Sequence, residues 1–157
     1  MSKIRAIAAI AENGVIGDGL SIPWRISDDF KHFKKTTLGG IIVMGRKTWE
    51  SLGKRPLPGR ENVVLTSRPE TAGDGARVFS SLPELFAAYA KDNRDLWIIG
   101  GAALYASSLD FCSEIIVSRV KMSPKGDVFF PKFEDKFVKA ETILNHPQFD
   151  VVRYVRK

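Results

Sequence analysis

The strongest constraint on the fold is an alternation of two kinds of segment. Short runs dense in valine and isoleucine occupy 4–11, 41–44, 63–66, 96–99 and 115–120, and each ends near glycine, proline or a polar cluster. Runs of that length read as buried strands. Between them, 26–37, 47–52, 82–90 and 102–109 carry apolar residues at helical spacing. Strands separated by helices become parallel neighbours through crossovers, which predicts an α/β domain with a largely parallel sheet covered on both faces. The segments 137–143 and 149–155, split by Asn145-His146-Pro147, predict an antiparallel hairpin closing one edge, so the sheet should be mixed. The turn-rich 68–75 reads as a mobile surface loop.

At 157 residues with 44% hydrophobic side chains, one domain spanning 1–157 with its own core is expected. No apolar run approaches the roughly 18 residues of a membrane span. The start, MSKIRAIAAIAENG, is broken by Glu12 and Asn13 too soon for a signal peptide, so a cytoplasmic protein is expected. The single cysteine, Cys112, excludes an intrachain disulfide, and the only histidines, His32 and His146, lie too far apart for a zinc-ligand pattern, so no metal is expected. The formal net charge of +6 is concentrated in 31–68, where nine cations face only Glu50 and Glu61. Interleaved with strands and turns, they fit a ring around an anion-binding pocket better than a nucleic-acid arm.

Several residues stand out chemically. If a helix opens at 26–30, then Ile26, Asp29, Phe30 and Phe33 share one face while Asp28 turns to water. Ser27 is a candidate N-cap, and Asp28 simply suits the positive end of the helix. Asp29 on an apolar stripe should be desolvated, with a raised pKa, and should invite a cationic or two-donor ligand. The stretch GIIVMGRKT at 40–48 comes close to a phosphate-loop pattern, but Ile41, Ile42, Val43 and Met44 belong to a buried strand and cannot wrap phosphates. What remains is a strand, Gly45, and a helix opening on Arg46, Lys47 and Thr48. Gly100-Gly101 before Ala102 forms a second such junction, and two of them point to a ligand with phosphates across a crevice. Thr66-Ser67-Arg68 offers two hydroxyls and a guanidinium to a phosphate monoester. The stretch 12–24, ending in Ile-Pro-Trp, reads as a lid.

Taken in order, IAAIAENGVIG, IPW with Asp29 five residues after Trp24, VMGRKTWESLG, RPLPGREN, LTSR, IIGGAALY and GDVFFP resemble the dihydrofolate reductase family along essentially the whole chain. The resemblance implies an eight-stranded mixed sheet with four helices, and hydride transfer from NADPH to dihydrofolate. It implies that Asp29 holds the amino-pyrimidine edge of the pterin and promotes protonation of N5 through water, with Ser118, where the family commonly has Thr, as a supporting hydroxyl. Ile22 and Trp24 would complete the catalytic centre from the lid, Ile22 standing where Met or Leu is frequent. Phe30, Phe33, Leu52 and Leu57 would wall the pterin and benzoyl rings, the Ile7 carbonyl would contact the pterin, and Lys34 and Arg60 would meet the tail, Arg60 gripping the glutamate α-carboxylate.

On the cofactor side the same resemblance implies phosphate contacts from Gly45, Arg46, Lys47, Thr48, Thr66, Ser67 and Arg68, and a Gly100-Gly101-Ala102 turn with a cis peptide between its glycines. Ala9, Ile16, Gly17 and Tyr105 would surround the ribose and nicotinamide. Expected partners are dihydrofolate and antifolate inhibitors, with no nucleic acid or membrane, and the protein is expected to be a monomer. His32 sits where bulky aromatics are frequent and reads as an ordinary polar residue near the site. A related reductase of riboflavin synthesis shares the fold and NADPH, but Asp29 after Ile-Pro-Trp together with Arg60 argues against it. A basic nucleic-acid-binding domain would account for the charge, yet no recognition motif or exposed aromatic row is present.

Overall fold

Ile41, Ile42, Val43 and Met44 are all fully buried, and a run with no polar alternation can be satisfied only in the middle of a sheet covered on both faces. The computed structural model describes residues 3–17 and 24–157. In it that run forms a strand continuing through Gly45. In chain order the elements are β1 (Ile4–Ala11), β2 (Val15–Gly17), α1 (Ser27–Thr37), β3 (Ile41–Gly45), α2 (Arg46–Ser51), β4 (Glu61–Leu65) and β5 (Arg77–Phe79). There follow α3 (Leu82–Ala88), β6 (Leu96–Gly100), α4 (Ala102–Ser108), β7 (Glu114–Val120), β8 (Val128–Phe129), β9 (Phe137–Asn145) and β10 (Phe149–Arg156).

Eight strands form one sheet in the order β5-β4-β3-β6-β1-β7-β10-β9. The pairings from β5 to β7 are parallel, while β10 runs antiparallel to both β7 and β9, so the mixed sheet with an antiparallel C-terminal edge hairpin is found as expected. A second sheet, β2 against β8, is an addition that two- and three-residue strands gave no periodicity to announce.

Alternation along the strands divides the core between two faces. Ile41 and Val43 join Leu85 of α3 and Leu104 of α4 on one, whereas Ile42 and Met44 join Ile26, at the head of α1, and Trp49 of α2 on the other. The edge strand β9 buries only Phe137, and Lys139 and Glu141 on it discourage pairing with another chain.

Two local expectations are corrected. The N-cap of α1 is Ile26, in extended conformation, and Ser27 is the first helical residue with no capping bond from a side chain. Burying Ile26 against the Trp24 and Trp49 cluster sets where the helix starts, and that outweighs a hydroxyl cap. The segment 68–75 is also anchored. It begins with a 3₁₀ turn (Pro69–Thr71), and the Ala72 carbonyl, in a fully buried residue, accepts a 2.7 Å bond from the Trp49 indole.

Candidate active site

A cavity of about 1130 Å3 opens at the carboxyl ends of β3 and β6, between α1, α2 and α4. In an open parallel sheet this is where helices on opposite faces diverge and leave a crevice. Helix α1 supplies Asp29, Phe30, Phe33 and Lys34 to its wall. Asp29 is only 9% exposed, whereas Phe30 is half-exposed because the cleft is open beside it. Among the described residues no hydrogen bond or ion pair reaches the Asp29 carboxylate, although Asp28 is committed to His146 at 2.9 Å. Trp24, Leu52 and Leu57 add apolar surface.

Arg60 is positioned by a turn that needs Gly59 at φ +76°. Its Nε donates to the Pro58 carbonyl at 3.0 Å, Nη1 donates to Thr37 Oγ1 at 3.2 Å, and the guanidinium lies 5.9 Å from the Phe33 ring. Partial burial lowers its pKa from the ordinary value. Asn62 ties the same turn together, its amide donating to the Leu57 and Arg60 carbonyls and its oxygen accepting from the Leu57 N–H. Neither Thr37 nor Asn62 was singled out in the sequence. An S/T at a helix end and an Asn after a Pro-Gly turn were the available signals.

At the other end of the cleft, two glycine turns lie against each other. A Cβ on Gly45 would come 3.9 Å from the Gly100 carbonyl, one on Gly101 would come 3.7 Å from Thr48 Oγ1, and one on Gly100, at φ +117°, would meet the Tyr105 ring at 3.3 Å. The Gly100–Gly101 peptide is cis. Backbone rather than side chain therefore faces the cleft here, flanked by Arg46, Lys47, Thr48 and Ala102. Arg46 also pairs with Glu50 at 2.5 Å.

Between the two ends, Tyr105 donates its hydroxyl to the Ile7 carbonyl at 2.7 Å, and burial raises its pKa well above the ordinary tyrosine value. Ile7, Ala9, Ile16 and Ser118 line the same stretch. Ser118 is buried and in register with Ala9, and makes no hydrogen bond to Asp29.

Not every expected residue lies in the wall. Thr66, Ser67 and Arg68 follow Leu65, which does line the cleft, but are not part of the lining themselves, and Thr66 Oγ1 accepts from the Arg68 N–H at 3.0 Å. Gly17 ends β2 outside the lining, and Ile22 lies outside the described residues. Conversely, Ser51, Ser107, Asp127 and His32 line the cleft without having been assigned to it. Burial lowers the pKa of His32 against the opposing pull of Asp29.

Chemically, the cleft has a buried carboxylate among apolar walls, a partly committed guanidinium at one rim, and bare backbone with cations at the other end. Comparison with known proteins agrees with the fold. The model of the family described as dihydrofolate reductase matches residues 3–154. The dihydrofolate reductase of Neisseria gonorrhoeae is 42% identical over 134 residues, which is 85% of this chain and 82% of the relative. That of Mycobacterium tuberculosis is 41% identical over 147 residues, 90% and 88% of the two chains. A solved Enterococcus faecalis dihydrofolate reductase, complexed with NADP(H) and RAB-propyl, superposes with a TM-score of 0.88 at 32% identity and covers 99% of this chain and 96% of that one.

Proposed function

Because the chain belongs to the dihydrofolate reductase family, we propose that it reduces 7,8-dihydrofolate to 5,6,7,8-tetrahydrofolate with NADPH, as a cytoplasmic monomer serving one-carbon metabolism. The observation that carries this reading is the Asp29 carboxylate, nearly buried on an apolar wall and uncommitted among the described residues.

The far end of the cleft fits the cofactor, because the bare backbone at Gly45, Gly100 and Gly101 admits a close approach that any Cβ would hinder. Gly45, Arg46, Lys47, Thr48, Thr66, Ser67 and Arg68 would hold its phosphates, Gly100, Gly101 and Ala102 would take part in binding it at the same end of the cleft, and Ala9, Ile16, Gly17 and Tyr105 would surround the ribose and nicotinamide. When bound, NADPH supplies the hydride that reduces the pterin.

The chain's own residues then do the rest. Asp29 accepts two hydrogen bonds from the amino-pyrimidine edge, which fixes the pterin's orientation, and its negative charge favours a proton at N5 delivered through water. Trp24, in the cleft wall, limits that water, which strengthens the field of the carboxylate, and Ile22, outside the described residues, would share that role. Ser118 offers a hydroxyl near the same edge. The Ile7 carbonyl, held by Tyr105, accepts from the pterin with its second lone pair. Phe30, Phe33, Leu52 and Leu57 enclose the rings, Lys34 lies near the tail, and the Arg60 fork clamps the tail carboxylate.

The test is the decay of NADPH absorbance on adding dihydrofolate to the purified chain. Turnover is expected with dihydrofolate and not with a ribosylamino-pyrimidine of riboflavin synthesis. Absence of dihydrofolate turnover in the folded protein would overturn the reading.

A further inference from the structure

Helix α1 carries Asp29, Phe30 and Phe33 into the cleft, yet it is lightly held. Within it only Asp29 and Thr37 are buried, and its N-cap, Ile26, contributes no side-chain bond. On the side away from the cleft, a cavity of about 980 Å3 separates Lys35 and Thr36 of the helix from Ile143 and Leu144 of β9. Among the described residues, two side-chain hydrogen bonds tie α1 to the rest of the chain. Thr37 accepts from Arg60 at the C-terminal end, and Asp28 meets His146 at the first turn.

The surroundings of His146 fix it for that contact. Its ring stacks on the fully buried Phe149, with centroids 4.4 Å apart and planes 26° from parallel. The Gln148 N–H donates to Nδ1 at 3.0 Å, so in the neutral ring the proton sits on Nε2, which donates to Asp28 Oδ2 at 2.9 Å. The His146 carbonyl accepts from Lys121 Nζ at 2.8 Å, and the same ammonium pairs with Asp150 at 3.3 Å. The turn between β9 and β10 is thereby pinned to the end of β7 before it reaches out to the helix. Exposed pairs of long, free side chains are worth little because both must be ordered to meet. Here the histidine is already ordered by the stack and by Gln148, and the aspartate is short.

We infer that His146 is a positioning residue for the pterin end of the cleft: its bond to Asp28 holds the first turn of α1, and with it the Asp29 carboxylate one residue on. The inference rests on the reading of the cleft as a dihydrofolate site. The cofactor end is built on the β3–α2 and β6–α4 junctions and does not depend on that turn.

The test compares Asp28→Ala, Asp28→Asn, His146→Phe and the double variant Asp28→Ala with His146→Phe, each in the full chain. His146→Phe keeps a ring over Phe149 and loses the donor, whereas Asp28→Asn keeps an acceptor for Nε2–H and loses the charge. KM for dihydrofolate should rise about three- to tenfold in Asp28→Ala and in His146→Phe, the range set by one hydrogen bond, with KM for NADPH unchanged. The double variant should be no worse than either single one, and Asp28→Asn should stay close to the parent.

A readout that needs no turnover is amide exchange in the first turn, where the Asp29 and Phe30 N–H groups both bond the Ile26 carbonyl. Those two amides should exchange several-fold faster in Asp28→Ala and in His146→Phe, and at the parental rate in Asp28→Asn. If the parent does not turn over dihydrofolate, the family reading fails and the exchange rates alone decide this inference. Additive losses in the double variant, an equal rise in both KM values, the same loss in Asp28→Asn as in Asp28→Ala, or parental exchange in both single variants would overturn it.

Discussion

Asp28 and Asp29 are consecutive carboxylates in the first turn of α1, and they have opposite fates. Asp28 projects to the outer face, 56% of its side chain exposed, and is paired with His146 and Lys31. Asp29 is rotated by about 100° around the helix and lies against the cleft wall, almost buried. The difference follows from helix geometry alone, since one residue step exchanges a solvated surface for an apolar one. A carboxylate satisfied within the protein adds a little stability, while one left unsatisfied at the edge of a cavity keeps its interaction free energy for a ligand.

The most direct way to break that contrast is to neutralise each acid separately. Asp29→Asn preserves volume and fold but removes the charge that favours the protonated pterin, so kcat/KM near neutral pH should fall by about 10² to 10⁴-fold, the usual contribution of a positioned acid–base group. Activity should recover in part as the pH is lowered and the substrate arrives already protonated. Asp28→Asn should keep kcat/KM within a few-fold of the parent. Near-parental activity of the Asp29 variant at pH 8 would remove Asp29 from the chemistry.

Next in size is the rim of the cleft. Arg60 has spent part of its fork on Pro58 and Thr37, and among the described residues nothing engages Nη2. Arg60→Lys keeps the charge and loses the fork, so dihydrofolate binding should weaken by about 1.5–3 kcal/mol, while a pterin lacking the glutamate should be indifferent. Thr37→Val leaves the guanidinium in place but loosens it, and the same selective loss should appear at smaller size. Equal losses of kcat/KM for the two substrates would show that Arg60 supports the fold instead of reading the tail.

Most of this arrangement was legible in the sequence because it depends on local pattern. The runs that became β1, β3, β4, β6 and β7 are continuous and apolar, the C-terminal hairpin is marked by Asn145-His146-Pro147, and the position of Asp29 follows from a three-and-four spacing. What escaped depends on distant contacts. Strands β2, β5 and β8 have two or three residues each, too few to show a period, and exist only through their partners. The order of 68–75 comes from the Trp49 indole, 23 residues from Ala72, and Thr37 meets Arg60 across another separation of 23. A second cavity, on the far side of α1 from the cleft, had no signature at all, since α1, the five strands β1, β6, β7, β9 and β10 and the turn at His146 must converge to form it.

The cofactor end sharpens the contrast between committed and open charge. Arg46 shares its guanidinium with Glu50, and Arg68 stands beyond the lining of the cleft, so neither is as free as Asp29. If the two read the extra phosphate of NADPH, replacing both by Ala should raise KM for NADPH by about tenfold, roughly one exposed charge-assisted hydrogen bond, and leave KM for NADH nearly unchanged. Equal weakening of the two cofactors would assign them to the fold.

The smallest expected effect returns to Asp28. Its pKa lies below the ordinary carboxylate value because of the hydrogen bond to His146, opposed by burial and aided by the nearby charges of Lys31 and His146. A carboxylate that gives up its proton more readily when folded stabilises the folded state in its ionised form. The contribution is therefore complete above the unfolded value of about 3.9 and is lost as the pH falls through the lower folded value. Asp28→Asn keeps a side-chain oxygen for His146 and removes only the charge. Its urea midpoint should lie slightly below the parent's at pH 6, and the gap should narrow as the pH is taken down to 3. Because the pair is solvent-exposed, the gap should also shrink with added salt. A gap that ignores both pH and salt would mean that Asp28 acts through packing or hydrogen-bond geometry. The contrast with Asp29 would then be one of burial alone and not of charge already committed.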